Sequence, residues 1–158
     1  MHSKYPERLS DNFSFREATF SRTAFKKRID NLPDEMQLQA MYNTAKGMER
    51  IRALCDNKIV SVSSWFRSPE VNTLIGGAAK SQHLQGEAVD FNIYSFGSPR
   101  AICEKIVAFK EIIRFDQLIL EPNWVHVSFE SDPLKKQRGQ VLTITPDGKA
   151  HVGLVHYK

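Results

Sequence analysis

Apolar residues recur at Met36, Leu38, Met41, Ala45, Met48, Ile51 and Leu54. This is close to a 3.6-residue period, so residues 33–55 are predicted to form one long amphipathic helix. Asp56-Asn57 ends it, and Asp30-Asn31-Leu32-Pro33 breaks the chain ahead of it. Ser14, with Glu17 three positions on, reads as a capping box that opens a short N-terminal helix. After the long helix the period changes to two. Residues 58–64 alternate Ile59, Ser61 and Ser63 against Val60, Val62 and Ser64, which predicts a strand. Ser68-Pro69 then starts a short helix, with Ser as cap and Pro at the first position, and Gly76-Gly77 ends it. Residues 81–86 read as a loop and 87–94 as a strand. Ser98-Pro99 opens a helix to about residue 110. Strands follow at 115–120 and 124–129 around Glu121-Pro122-Asn123. Two more, at 141–145 and 151–155, flank the hairpin signal Pro146-Asp147-Gly148-Lys149. The order predicts an α+β fold: a central, mostly antiparallel sheet with N-terminal and inserted helices.

Size and composition narrow the class. The 158 residues fit one domain, taken here to span 1–158. Apolar residues are 41% and charged residues 25%, as in a soluble globular protein. No apolar run approaches the ~18 residues of a membrane span. Residues 1–21 are polar and charged, so no signal peptide is expected. Cys55 and Cys103 each lie in an apolar, helix-like stretch and are expected as buried free thiols. The net charge of +4 favours anionic partners. The chain lacks an aromatic-basic stripe or a nucleic-acid reading motif, so no nucleic-acid partner is expected. Two basic clusters, Lys26-Lys27-Arg28 and Lys135-Lys136-Gln137-Arg138, read as solvated faces.

Two of the five histidines have suggestive surroundings. His2 is terminal, and His151 and His156 belong to the final hairpin. His83 and Asp90 lie seven positions apart with Gly86 between them. On a straight strand that spacing would span roughly 23 Å, but a turn at Gly86 brings the histidine back over the strand carrying Asp90. Asp90 sits between Val89 and Phe91, and a carboxylate in so apolar a run needs a partner. In Trp124-Val125-His126-Val127-Ser128, His126 shares a strand face with Trp124 and Ser128. Two histidines and an aspartate would leave a fourth position for water, the layout of catalytic rather than structural zinc. On spacing alone, a core histidine beside a hydrogen-bonded aspartate is an equally open reading.

Three blocks carry a resemblance: VSSWFRSPEVN at 62–72, GGAAKSQHLQGEAVDF at 76–91 and WVHVS at 124–128. Together they resemble the zinc D-alanyl-D-alanine carboxypeptidases and the phage L-alanyl-D-glutamate endolysins. That family's motif is S-x-H-x-x-G-x-A-x-D, with an upstream S-x-x-R-S and a later W-x-H. The likeness runs from about residue 13 to 141. It implies a hedgehog/DD-peptidase-like fold and one zinc ion held by His83, Asp90 and His126. It implies hydrolysis of a peptide bond in the stem peptides of bacterial peptidoglycan. Arg67 matches the arginine that holds a substrate carboxylate or steadies the oxyanion, for which a planar guanidinium fork is suited. Ser81 matches the motif serine, which orders the loop or contacts substrate. Gln82 beside it, and Trp124 as a pocket wall, complete the expected substrate-binding set. Trp65 and Phe66 are also expected as pocket walls, with a core position an equally open reading for Phe66.

The general base departs from the pattern. Many relatives carry a glutamate three residues before the last histidine, where this chain has Asn123. Glu121, five before His126, is the candidate if the turn through Pro122-Asn123 swings it over the metal. Asp116 and Glu87 are the runners-up. A monomer is expected, synthesised without a signal peptide in the cytoplasm of a bacterial host. It would act on the wall as a holin-released endolysin or a virion-borne lysin. The displaced glutamate leaves one alternative: a catalytically weak, metal-containing wall-binding or virion structural domain of the same fold.

Overall fold

In a computed structural model of the protein, residues 4–157 are described. His2 and both ends of the expected 1–158 domain lie outside that range. The chain runs β1 (Arg8–Ser10), β2 (Phe13–Ser14), α1 (Phe15–Thr19), α2 (Arg22–Lys27) and α3 (Glu35–Leu54). Then come β3 (Ser61–Ser64), α4 (Pro69–Leu74), a 3-10 helix (Gln82–Gln85), β4 (Ala88–Asn92), α5 (Pro99–Ala108) and α6 (Lys110–Ile113). It closes with β5 (Gln117–Leu120), β6 (Val125–Ser128), β7 (Gln140–Ile144) and β8 (Ala150–Val152). The fold is α+β, as the pattern predicts.

Local chemistry sets the helix ends. Ser14 and Glu17 form the expected capping box. Asp34 and Gln37 form a second at the start of α3, and Ser68 and Ser98 cap α4 and α5, each ahead of a proline. The buried stripe of α3 is Met41, Ala45, Met48 and Ile51, whereas Met36 is exposed. Gly47 lies on that stripe for a steric reason. A Cβ there would stand 2.3 Å from Phe129 Cζ. Overpacking costs roughly 1–3 kcal/mol. That exceeds the ~1 kcal/mol that alanine gains in helix propensity. Gly47→Ala is therefore expected to lower the melting temperature, which a thermal scan measures.

The main sheet has six strands in the order β3-β4-β6-β5-β7-β8. All neighbouring pairs are antiparallel except β5 and β7, which run parallel. The segment between β6 and β7 therefore crosses over rather than forming a hairpin. Val89, Phe91, Leu118, Val125 and Val127 join the α3 stripe, Ile102 and Ile106 in one core. Cys55 and Cys103 are buried free thiols, as expected, and burial pushes them up to about 11 and about 12. The opposite face of the sheet is left to line a cleft.

Candidate metal centre

The strand register assembles the centre. Asp90 on β4 lies directly opposite His126 on β6, and Ser64 on β3 is the partner of Asp90 on its other side. Ile119 on β5 is opposite His126. Ser64, Asp90, His126 and Ile119 thus form one row across the sheet. Flanking valines and phenylalanine point into the core, so the period of two turns Asp90 and His126 together to the open face.

His83 reaches the same point from outside the sheet. The expected loop at 81–86 is a 3-10 helix, with Ser81 as its cap accepting from the His83 N–H. It ends on Gly86, whose φ of 77° is left-handed. A Cβ there would also lie 2.5 Å from Met41 Cγ. Trp65 fastens both ends of this turn. Its indole N–H donates to the Gly86 carbonyl at 2.9 Å, and its own carbonyl is 2.6 Å from His83 Nδ1. With Nδ1 carrying the proton toward that carbonyl, Nε2 is the free lone pair.

The atoms that converge are His83 Nε2, 3.2 Å from Asp90 Oδ2, and His126 Nδ1, 2.8 Å from Asp90 Oδ1. Ligand atoms of all three lie within 4.8 Å of one another. Among the described residues this is the one group of His, Cys, Asp or Glu side chains so disposed. Burial pushes the His83 ring toward its neutral form. Burial also raises the Asp90 carboxyl, but the two facing histidines outweigh it and hold the carboxyl far below its usual range. A neutral imidazole and an ionised carboxylate are the states a metal ligand needs. The donor set fits a divalent ion such as zinc.

Glu121 lines the same cavity, of about 460 Å³. Its backbone N–H donates to the Trp124 carbonyl, closing the β5–β6 turn, and Asn92 holds the turn by donating to the Asn123 carbonyl. Burial raises the Glu121 carboxyl above its ordinary value, with Asp90 adding to the effect. Asp116 and Glu87 are committed elsewhere. Asp116 accepts from Arg138 and Gln82, and Glu87 accepts from Ser131. Neither lines that cavity.

Arg67 stands beside the centre. Its Nη2 is 2.9 Å from Asp90 Oδ2, its Nε donates to Ser64 Oγ, and its backbone N–H donates to the His83 carbonyl. Buried Asn31, expected only as part of a chain break, fixes this stretch by bonding to Thr19, Phe66 and Ser68. Ser81, Gln82 and Trp124 line the cavity. Trp65 and Phe66 do not: both are buried in the hydrophobic core, where the Trp65 ring meets Phe13 edge-on. Arg138 is exposed, as expected of a solvated face, but its guanidinium also pairs with buried Asp116 at 2.6 Å. The sequence reading missed Arg138 and the anchoring role of Trp65. Only the sheet register brings Asp116 up to the basic run.

A family model described as Peptidase M15 matches residues 11–128. No curated protein matches the chain.

Proposed function

The chain belongs to the peptidase M15 family, a family of metallopeptidases, and from that premise we propose that it hydrolyses a peptide bond in the stem peptides of bacterial peptidoglycan. One zinc ion would be held by His83, Asp90 and His126. The observation that carries the reading is the meeting of these three side chains on the floor of a cleft that Glu121 also lines. Zinc in that site would supply Lewis acidity, lowering the pKa of water and polarising a peptide carbonyl.

The protein's own groups would do the rest. Glu121 takes a proton from the attacking water and passes it to the leaving amine. Its position in the cleft supports catalysis over the alternative of a catalytically weak wall-binding or virion domain. Arg67 has two of its nitrogens held by Asp90 and Ser64. The remaining N–H groups of the fork have no partner among the described residues and would serve a substrate carboxylate or the developing oxyanion. Ser81 orders the turn that carries His83. Gln82 and Trp124 bound the substrate path.

We take residues 1–158 to be one peptidoglycan metallopeptidase domain, active as a monomer without nucleic acid. Its site of action would be the wall, reached as a holin-released endolysin or a virion-borne lysin. Purified peptidoglycan is expected to be digested by the zinc-loaded protein. EDTA should abolish the digestion and added zinc restore it. Mass spectrometry of the released muropeptides then separates carboxypeptidase from endopeptidase cleavage. Undigested peptidoglycan at stoichiometric zinc would overturn the reading.

A further inference from the structure

Most of the chain's excess positive charge is gathered away from the metal cleft, on α1, α2 and the turns that follow them. Residues 16–30 carry Arg16, Arg22, Lys26, Lys27 and Arg28 against Glu17 and Asp30, and so hold +3 of the net charge of +4. The rest of the chain is close to balanced, with 17 basic and 16 acidic residues. All five cations are exposed. None of their side chains makes an ion pair or a hydrogen bond with a described residue. Of the two acids, Glu17 is turned back on the helix cap, where it accepts from the Ser14 N–H and hydroxyl.

Apolar side chains are exposed on the same elements. Phe20, which ends α1, is 58% exposed, and Phe25 in α2 is 78% exposed. Arg22 stands three positions before Phe25 and shares its side of the helix. No aromatic-basic stripe is legible along the chain, because a helix of six residues gives no period to tell that Phe25 faces outward. Helix α4 packs beside α2 and ends in exposed Leu74 and Ile75, with exposed Glu70 as its one acid. Single exposed apolar residues need no explanation, but a group of them beside unpaired charge marks a contact surface.

We propose that the α1–α2 face docks on a bilayer rich in anionic phospholipid, with Phe20 and Phe25 entering the headgroup layer and the five cations meeting the phosphates. Cations on phosphate with apolar side chains sunk beside them is the way interfacial segments bind. A nucleic acid or another soluble polyanion would satisfy the charge, but it has no use for the aliphatic area of Leu74 and Ile75. The proposal goes beyond the hydrolase reading and does not depend on it. The face is also joined to the cleft. Asn31 donates to the carbonyls of Thr19 and Phe66 and accepts from the Ser68 N–H, so it ties the end of α1 to both neighbours of Arg67. Docking would thus hold the cleft at a fixed attitude to the membrane.

The test is co-sedimentation of the full chain with vesicles of phosphatidylcholine, with and without phosphatidylglycerol. Binding is expected only to the anionic vesicles, and rising salt should weaken it. Lys26→Gln with Lys27→Gln should weaken it roughly twentyfold, since each cation near such a surface is worth about fivefold. Phe20→Ser with Phe25→Ser should weaken it by roughly tenfold or more at unchanged charge. Melting temperature and zinc content confirm that each variant is folded. Retention on single-stranded DNA is measured in parallel, because bases can also stack on exposed rings. No binding to anionic vesicles would overturn the proposal. So would vesicle binding that survives loss of both rings, or DNA retention as strong as vesicle binding, since either makes the face a general polyanion site.

Discussion

Glu121→Gln is expected to lower kcat by roughly 10²–10⁴-fold, the usual contribution of a positioned acid–base group. Zinc content should be unchanged, because Glu121 is not among the three converging side chains proposed to hold the ion. Inductively coupled plasma analysis of the variant checks this, and loss of the ion would move Glu121 from proton carrier to ligand. The same substitution has a signature in stability. Burial and neighbouring Asp90 raise the Glu121 carboxyl above its ordinary value. Between the unfolded and folded values the native protein binds more protons than the unfolded chain. Its stability therefore falls as pH rises through that window. In metal-free protein, Glu121→Gln should thus match or exceed wild type in melting temperature at neutral pH. The difference should vanish as pH drops below the unfolded glutamate range. A scan from mildly acid to neutral pH in EDTA measures it. A variant markedly less stable than wild type at neutral pH would mean that the charge is paired, not merely buried.

Trp65→Ala should be the most damaging single change outside the ligands. The side chain is fully buried, and truncating a large aromatic typically costs about 3–5 kcal/mol. The loss should also reach the metal, because the indole holds Gly86 at the end of the turn that presents His83. Trp65→Phe separates the two effects. It keeps most of the volume but leaves the Gly86 carbonyl without its donor, a cost of about 1–3 kcal/mol. Denaturant unfolding gives the stabilities, and a competitive chelator titration gives the zinc affinity. Trp65→Phe should weaken zinc binding beyond what its stability loss alone accounts for. An unchanged zinc affinity would show that the turn holds without Trp65.

What could be read along the chain followed from the strength of each local signal. The 33–55 stripe repeats over five turns, so helix α3 was legible to within two residues at its start and one at its end. Ser14 with Glu17, and Ser68 with Pro69, mark helix starts because a cap acts on its own next turn. The hairpin of β1 and β2 was not legible, since strands of three and two residues carry too little alternation. Helix α2 was missed for a similar reason: six residues with one buried side chain show no period. The parallel pairing of β5 with β7 depends on where the 129–139 crossover lands, which no local pattern encodes.

The site divides the same way. His83, Asp90 and His126 could be nominated from their neighbours, and Glu121 from the turn that follows β5. Their meeting could not be derived from spacing. Strands β4 and β6 are not consecutive, and two helices and β5 intervene before they pair. Arg138 shows the limit most clearly. In the run of 135–138 it looks like its neighbours. Only the fold distinguishes the one cation that closes on a buried aspartate.

The facing of Asp90 and His126 across β4 and β6 has a consequence for how the chain finds its structure. Side chains alternate faces, so a slip of one residue between these strands would turn one of the two ligands into the helical core. A slipped sheet could hold no ion in this site. A metal held by these three side chains would therefore recognise a pairing as much as the side chains, and its binding energy would be available only to chains that have aligned the two strands correctly. In that sense such an ion would proofread the centre of the sheet before it served any chemistry there.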